Sequence, residues 1–227
     1  MTVRRAAIAL AALLACDASA VDVQVEDGPH RFTRAEAQAI QRIGDVAVRD
    51  ARRQLPMLPS RVTILVRSGK DVIPETGENA TTVPPATVAW TLDPDRDVLG
   101  LARAQLRGTL FHELHHLARA AAAPRRSLMD DVVSEGLATA FERDAAGARP
   151  PWGQPPPEVM EWTRELLAQP ADAPRDVWLI RHPDGRRWIG MRVGTFLVDR
   201  AMAATHRSAA ELVSTPTDEI LRLAGVP

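Results

Sequence analysis

The chain has 227 residues, of which 45% are hydrophobic and 25% are charged, and its formal net charge is -1. This composition is typical of a globular protein of one domain, and the balanced charge gives no indication of a nucleic-acid partner. The complete absence of tyrosine excludes every mechanism that depends on a tyrosine hydroxyl.

The first twenty residues are predicted to be an export signal that precedes a single domain at 21–227. Two arginines stand before an apolar run at 6–15, which is too short for a permanent membrane helix. Two processing sites remain open. Residues 18–20, Ala-Ser-Ala, fit a signal-peptidase site, whereas residues 13–16, Leu-Leu-Ala-Cys, resemble a bacterial lipobox in which Cys16 is lipidated. Either site predicts an exported protein, periplasmic or membrane-anchored, in a bacterium.

The first predicted elements are a helix and two strands. Residues 33–36, Thr-Arg-Ala-Glu, form a capping-box pattern, which predicts a helix that begins there and ends near Gln54. Residues 61–67, RVTILVR, predict a buried strand, and residues 87–92, TVAWTL, predict a second one. The residues between them, 68–85, are rich in Gly, Pro, Asn and Thr and predict a loop.

Helices are predicted to dominate the rest of the chain. One runs from about 98 to 122, and Ser127 can cap another at 128–146. A proline-rich connector follows at 148–158. Shorter helices are predicted at 158–168, 188–205 and 209–224. The sequence therefore predicts an α/β (α+β) fold, in which a small sheet precedes a predominantly helical part with two adjacent active-site helices.

Residues 112–116, HELHH, match the pattern HExxH inside the first of these two helices. Side chains four positions apart lie about 40° from each other on a helix, so His112 and His116 can reach one zinc ion. Glu113 is angled away from that direction, and from there its carboxylate can act as a general base on a metal-bound water. An apolar stripe buries the helix and holds the two imidazoles at a fixed separation.

A catalytic zinc ion needs a third protein ligand, and Glu135 is the candidate. Eighteen residues lie between His116 and Glu135, enough for a turn that folds the second helix back across the first. Two histidines and one glutamate are a known catalytic zinc set. Gly136 is expected to allow the two helices to approach closely.

Two acids precede Glu135 on the same helix. Asp131 lies one turn before it and is a candidate to accept a hydrogen bond from a ligating histidine, with Asp130 as the next candidate. In the alternative interpretation, the two carboxylates only favour the positive N-terminal end of the helix.

The HExxH pattern with a glutamate at this spacing resembles the gluzincin class of zinc metallopeptidases. More narrowly, HELHH followed by LMDDVVSEGLA resembles the YjaZ-like family of predicted zinc-dependent proteases, whose members typically read HEYHH and then LLD…EGLAE. Residues 188–198, WIGMRVGTFLV, are similar to a later helix of that family. The resemblance implies a zincin-like fold, one zinc ion on His112, His116 and Glu135, and Glu113 as the base.

The chain departs from the family pattern where an oxyanion stabiliser would be sought. The family's tyrosines in the last segment are absent, with Met191 where one is expected, and Thr139 replaces the glutamate that follows EGLA. That role therefore cannot be carried over. Arg192 is a candidate because its positive charge is fixed; the alternative interpretation is a surface arginine on an amphipathic helix. The other candidates are predicted to be a loop residue (His182), a helix-end cation (His206) and a packed or solvated neighbour of the motif (His115).

The sequence thus predicts an exported zinc metallopeptidase that acts on a peptide or protein. Two alternatives stay open: a metal-binding envelope protein without turnover, and a zinc hydrolase of a non-peptide amide. Residues 87–92 bear on the substrate, because an edge strand there could pair with an extended peptide. An ordinary core strand is the other interpretation.

Overall fold

The computed structural model describes residues 21–26, 28–123 and 125–226. The predicted export signal and Cys16 lie outside these residues. Four strands form one mixed sheet in the order β1-β2-β4-β3. β1, β2 and β4 run parallel, and β3 pairs antiparallel with β4 at one edge. The strands are Val21–Val25 (β1), Val62–Ser68 (β2), Glu78–Val83 (β3) and Thr87–Leu92 (β4).

Helices make up most of the remaining structure, which confirms the predicted class of a small sheet with a mainly helical part. The helix predicted at 98–122 is continuous in direction but contains one π-helical turn at Ala102–Leu106. The helices are Arg34–Gln54 (α1), Val98–Leu101 (α2), Arg107–Ala122 (α3), Leu128–Ala146 (α4), Val159–Leu167 (α5), Arg175–Leu179 (α6), Ile189–Thr205 (α7) and Thr217–Leu223 (α8). Within the described part of the chain, no helix has both the length and the apolarity to cross a membrane.

The capping residues of the two long helices behave as their sequence predicts. Thr33 and Glu36 form the capping box of α1 through reciprocal bonds between side chain and backbone. Ser127 and Asp130 do the same for α4. The carboxylate of Asp130 therefore stabilises the helix N-terminus, as the alternative interpretation of this residue required.

The predicted loop at 68–85 is wrong in its second half, because residues 78–83 form the edge strand β3. β4 (TVAWTL) is consequently an internal strand, hydrogen-bonded to β2 on one side and to β3 on the other. The sequence ENATTV has few apolar residues, since β3 is covered only on part of its surface. Edge strands often lack the apolar signal by which buried strands are recognised.

One main core joins the sheet to the helices. β2 buries alternate side chains, Val62, Ile64 and Val66, in a core that also contains side chains of α1 and α3. The Phe111 ring of α3 contacts the Phe141 ring of α4 in the same core. This packing fixes α3 and α4 side by side beneath β3.

α7 crosses the back of α4 at two glycines. A Cβ atom on Gly136 would lie 2.2 Å from the Gly194 carbonyl carbon, and one on Gly194 would lie 2.0 Å from the Val132 oxygen. No L side chain fits at such distances. Gly136 therefore does allow a close helix approach. The sequence had suggested α3 as the partner of α4 at this residue, whereas the structure shows α7.

Candidate metal centre

Three predicted ligand side chains meet between α3 and α4. The Nε2 atoms of His112 and His116 lie 3.1 Å and 3.3 Å from the same atom, Glu135 Oε2. The ligand atoms of the three residues all lie within 4.8 Å of one another, and no other such cluster occurs among the described residues. Their roles as ligands stay predictions, but the structure places them where one ion could contact all three.

Two spacings in this cluster, from Glu135 Oε2 to each Nε2 atom, match those around a tetrahedral zinc ion. Donors bound at about 2.0–2.1 Å to a tetrahedral ion are separated by about 3.3–3.4 Å, close to the two nitrogen–oxygen distances observed. The remaining ring nitrogens have other partners: His112 Nδ1 lies 3.1 Å from Glu142 Oε2, and His116 Nδ1 lies 3.1 Å from Ser134 Oγ. Both imidazoles are thereby oriented with Nε2 toward the common point.

Burial and the close contacts within the cluster shift the pKa values of its members. Burial alone would lower the pKa of His112, but hydrogen bonds to Glu135 and Glu142 outweigh it and raise the pKa well above its usual range. Burial acts in the opposite direction on Glu135, and the two histidines overcome it, so the pKa of this carboxyl lies well below its usual range. Glu135 is therefore an anion and a competent ligand for a cation.

The carboxylate of Glu113, the predicted base, is held by β3. The Thr82 hydroxyl lies 2.6 Å from Glu113 Oε2 and 3.1 Å from the Glu113 backbone oxygen, both acceptors. Glu113 is buried but lines the same cleft as the three clustered residues. No sequence pattern singled out Thr82, because it falls in the segment that was predicted to be loop.

The cluster opens into a cleft of about 740 Å³. β3 forms one wall, α3 and α4 form the floor, and residues 148–152 with the start of α7 form a second wall. Trp152, Trp188 and Met191 make an apolar cluster in this second wall, against which Ile73 packs. Trp188 has a left-handed backbone (φ 62°), a strained conformation for so bulky a residue.

Asp131 does not contact a histidine, so its predicted role beside a ligand is wrong. Its buried carboxylate lies 3.2 Å from Arg125 Nε and also contacts Arg175. Glu142, two turns after Glu135, is instead the acid that lies beside one of the two motif histidines, His112. The helical repeat could have identified Glu142, because residues seven apart return to the same face of a helix.

Arg192, the candidate oxyanion stabiliser, is not among the residues that line the cleft. It donates a hydrogen bond from Nη2 to the Pro151 carbonyl at 3.2 Å. His182 lies in a turn beside Asp184, and His206 caps the C-terminus of α7, both as predicted.

His115 is a packed neighbour of the motif, one of the two predicted possibilities. It lies wholly within the core, 3.2 Å from the Ala209 carbonyl oxygen. Burial lowers the pKa of its imidazole to about 3, so the ring is neutral.

Comparison with known proteins assigns the chain to a family. A search of curated proteins found no match. The model of the family described as "Predicted Zn-dependent protease (DUF2268)" matches residues 41–222, far beyond the motifs that carry the resemblance in sequence. The match includes all three clustered residues, Glu113 and both walls of the cleft. The chain therefore belongs to this family of predicted zinc-dependent proteases.

Proposed function

We propose that the protein is an exported zinc-dependent peptidase in which His112, His116 and Glu135 hold one zinc ion and Glu113 is the general base. The observation that carries the proposal is the convergence of three ligand atoms within 4.8 Å, in a cleft that the Glu113 carboxylate also lines. Membership of a family of predicted zinc-dependent proteases supports the reaction class.

The chemistry divides between the metal and the chain. When bound, zinc supplies Lewis acidity, which lowers the pKa of water and polarises a carbonyl group. Glu113 accepts the proton of the attacking water and passes it to the amine that leaves. Thr82 keeps the Glu113 carboxylate in one rotamer, and Glu142 and Ser134 keep the two imidazoles oriented.

The edge strand supports a peptide as the substrate. On one side β3 pairs with β4, and on the other Ile73 forms a single bridge to Glu78 at the start of the strand. Among the described residues no strand pairs with that second edge, so backbone groups beyond Glu78 are available along the cleft. An extended peptide can add to such an edge by main-chain hydrogen bonds, with no requirement for one particular sequence. The strand that serves this purpose is β3, in place of the β4 segment that sequence analysis considered.

Export and tethering are part of the proposal and rest on the first twenty residues alone. A bacterial host that carries the full-length gene should yield either a protein that begins at Val21 or one modified by lipid at Cys16. Mass spectrometry of the mature N-terminus distinguishes the two. An N-terminus at Met1 in the cytoplasmic fraction would contradict export.

The test of the reaction is the substitution Glu113→Gln in the purified protein. It should leave one zinc ion bound per chain and reduce hydrolysis of a peptide library by about 10²–10⁴-fold, the usual contribution of a general base. Glu161→Gln is the matched control, since Glu161 is exposed on α5 outside the cleft. If Glu113→Gln retains full hydrolysis, the proposed function is wrong. If the wild-type protein cleaves other amides but no peptide, the substrate class is wrong.

A further inference from the structure

Arg125 places a positive charge at the candidate metal centre. It lies in the turn between α3 and α4 and lines the cleft. Its Nη1 atom is 3.5 Å from Glu135 Oε1, the carboxylate oxygen that does not face the two imidazoles. The guanidinium is thus separated from the proposed zinc position by a single carboxylate group.

A buried acid holds Arg125 in this place. Its Nε atom lies 3.2 Å from Asp131 Oδ1, and only 2% of the Asp131 side chain is exposed. A carboxylate so deeply buried requires positive partners, and Arg125 and Arg175 supply them. Asp131 fixes the Nε side of the guanidinium, while 46% of the Arg125 side chain remains exposed. Further N–H donors on this group are available to a substrate.

Peptide hydrolysis needs such a donor. Attack on a carbonyl carbon places negative charge on the carbonyl oxygen, and a positioned donor at that oxygen commonly speeds the reaction. The chain contains no tyrosine to provide one. Two other arginines line the cleft, but Arg119 is buried and donates to the Val213 and Thr215 carbonyls. Arg149 is exposed and belongs to the second wall, at 148–152.

We propose that Arg125 binds the substrate carbonyl oxygen and stabilises its negative charge during hydrolysis; this inference rests on the proposed function. The water oxygen forms a bond to the carbonyl carbon, Glu113 takes the proton, and one electron pair moves to the carbonyl oxygen. The pair then returns, the carbon–nitrogen bond breaks, and the amine leaves with the proton from Glu113. Arg125 stays protonated and only donates hydrogen bonds.

Arg175 provides a matched control for the test. Both arginines contact the buried Asp131, but Arg175 is not among the residues that line the cleft. Arg125→Met should lower kcat by about 100-fold, as loss of one oxyanion donor does in other hydrolases. It should weaken binding of an uncleavable phosphonate peptide, which carries a tetrahedral anion, by a similar factor. Arg175→Met should leave both quantities unchanged.

Zinc affinity, measured by competition with a chelator, separates this role from a purely structural one. The inference expects the low kcat of Arg125→Met to persist at saturating zinc, even where loss of the contact with Glu135 raises the zinc Kd. It is overturned if the variant binds zinc more weakly and recovers its kcat at saturating zinc, because Arg125 would then act only through Glu135. Unchanged phosphonate affinity would also overturn it.

Two further measurements keep the result unambiguous. If Arg125→Met does not fold, as judged by circular dichroism, Arg125→Lys replaces it; this variant keeps the charge but loses the forked geometry, and kcat should still fall. Normal kcat in Arg125→Lys together with normal phosphonate affinity contradicts the inference. A wild-type protein without hydrolytic activity would overturn the proposed function itself. An active wild type with an equally active Arg125→Met would overturn only the role of Arg125.

Discussion

The floor and the walls of the cleft are built from different kinds of secondary structure. The floor consists of two packed helices, α3 and α4, whose side chains carry the candidate metal-ligand atoms and the candidate base. The walls consist of an edge strand, β3, and of the irregular segment 148–152 together with the start of α7. Helices fix the relative positions of side chains through their own repeat, whereas strand and loop residues depend on contacts with the rest of the fold. Substitutions in the floor are therefore expected to abolish or strongly reduce zinc binding and hydrolysis, whereas substitutions in the walls should change the rate only moderately.

Loss of a floor ligand should give the largest effect. Glu135→Ala removes one of three candidate zinc ligands, so we expect the zinc Kd to rise by more than the roughly 10–100-fold typical of losing only a partner of a ligand. Peptide hydrolysis should disappear at equimolar zinc. Chelator competition measures the affinity. Asp144→Ala, an exposed acid near the end of the same helix, should have no effect on it. Equal zinc affinity in both variants would remove Glu135 from the site.

The floor also depends on the glycine contact behind it. In Gly136→Ala the new methyl group would lie 2.2 Å from the Gly194 backbone, so α4 and α7 must separate. We expect the free energy of unfolding in urea to fall by about 3 kcal/mol, the upper range for overpacking. Gly69→Ala is the control, because its methyl group would meet only Thr91 at an ordinary 3.6 Å. A Gly136→Ala variant as stable as the control would contradict this helix crossing.

The floor was largely predictable from sequence, for a physical reason. HELHH and the later Glu135 lie on helices, where the spacing along the chain determines which side chains share a face. Their meeting needed only one turn between two helices. Asp131 shows the limit of this reasoning: it lies on the same helix one turn before Glu135, yet its carboxylate contacts Arg125, in the preceding turn, and Arg175, 44 positions later. Helical spacing predicts direction but not partners.

The walls were much less predictable. β3 reads ENATTV, a polar segment beside glycine and proline, and only its pairing with β4 makes it a strand. Thr82 is one threonine among several until the fold places it against Glu113. The aromatic wall likewise brings together Trp152 and Trp188, which lie 36 positions apart and have rings 5.2 Å from each other. These contacts are long-range, and no local pattern encodes them.

Removing the hydrogen bond between His112 and Glu142 tests how strongly zinc binding depends on the orientation of the His112 imidazole. Glu142→Gln keeps the size of the side chain but replaces a charged acceptor with a neutral amide. We expect zinc affinity and kcat/KM to fall by about 10–100-fold, as with other partners of metal ligands. Ser134→Ala, which removes the neutral partner of His116, should cost less. The reverse order would indicate that His116, and not His112, is the more dependent ligand.

The smallest expected effect comes from the wall, at Thr82. Thr82→Val preserves the shape of the side chain but removes the hydroxyl that lies 2.6 Å from Glu113 Oε2. One such bond contributes about 1 kcal/mol, so kcat should fall by roughly five- to tenfold while the zinc Kd stays unchanged. Thr82→Ser should restore kcat, and Thr81→Val, the same change one position earlier on β3, should leave it unaltered. Steady-state kinetics under saturating peptide gives kcat and KM separately. If Thr82→Val raised only KM, β3 would bind the substrate without orienting Glu113. The walls would then contribute to substrate binding alone, and catalysis would depend only on the side chains of the floor.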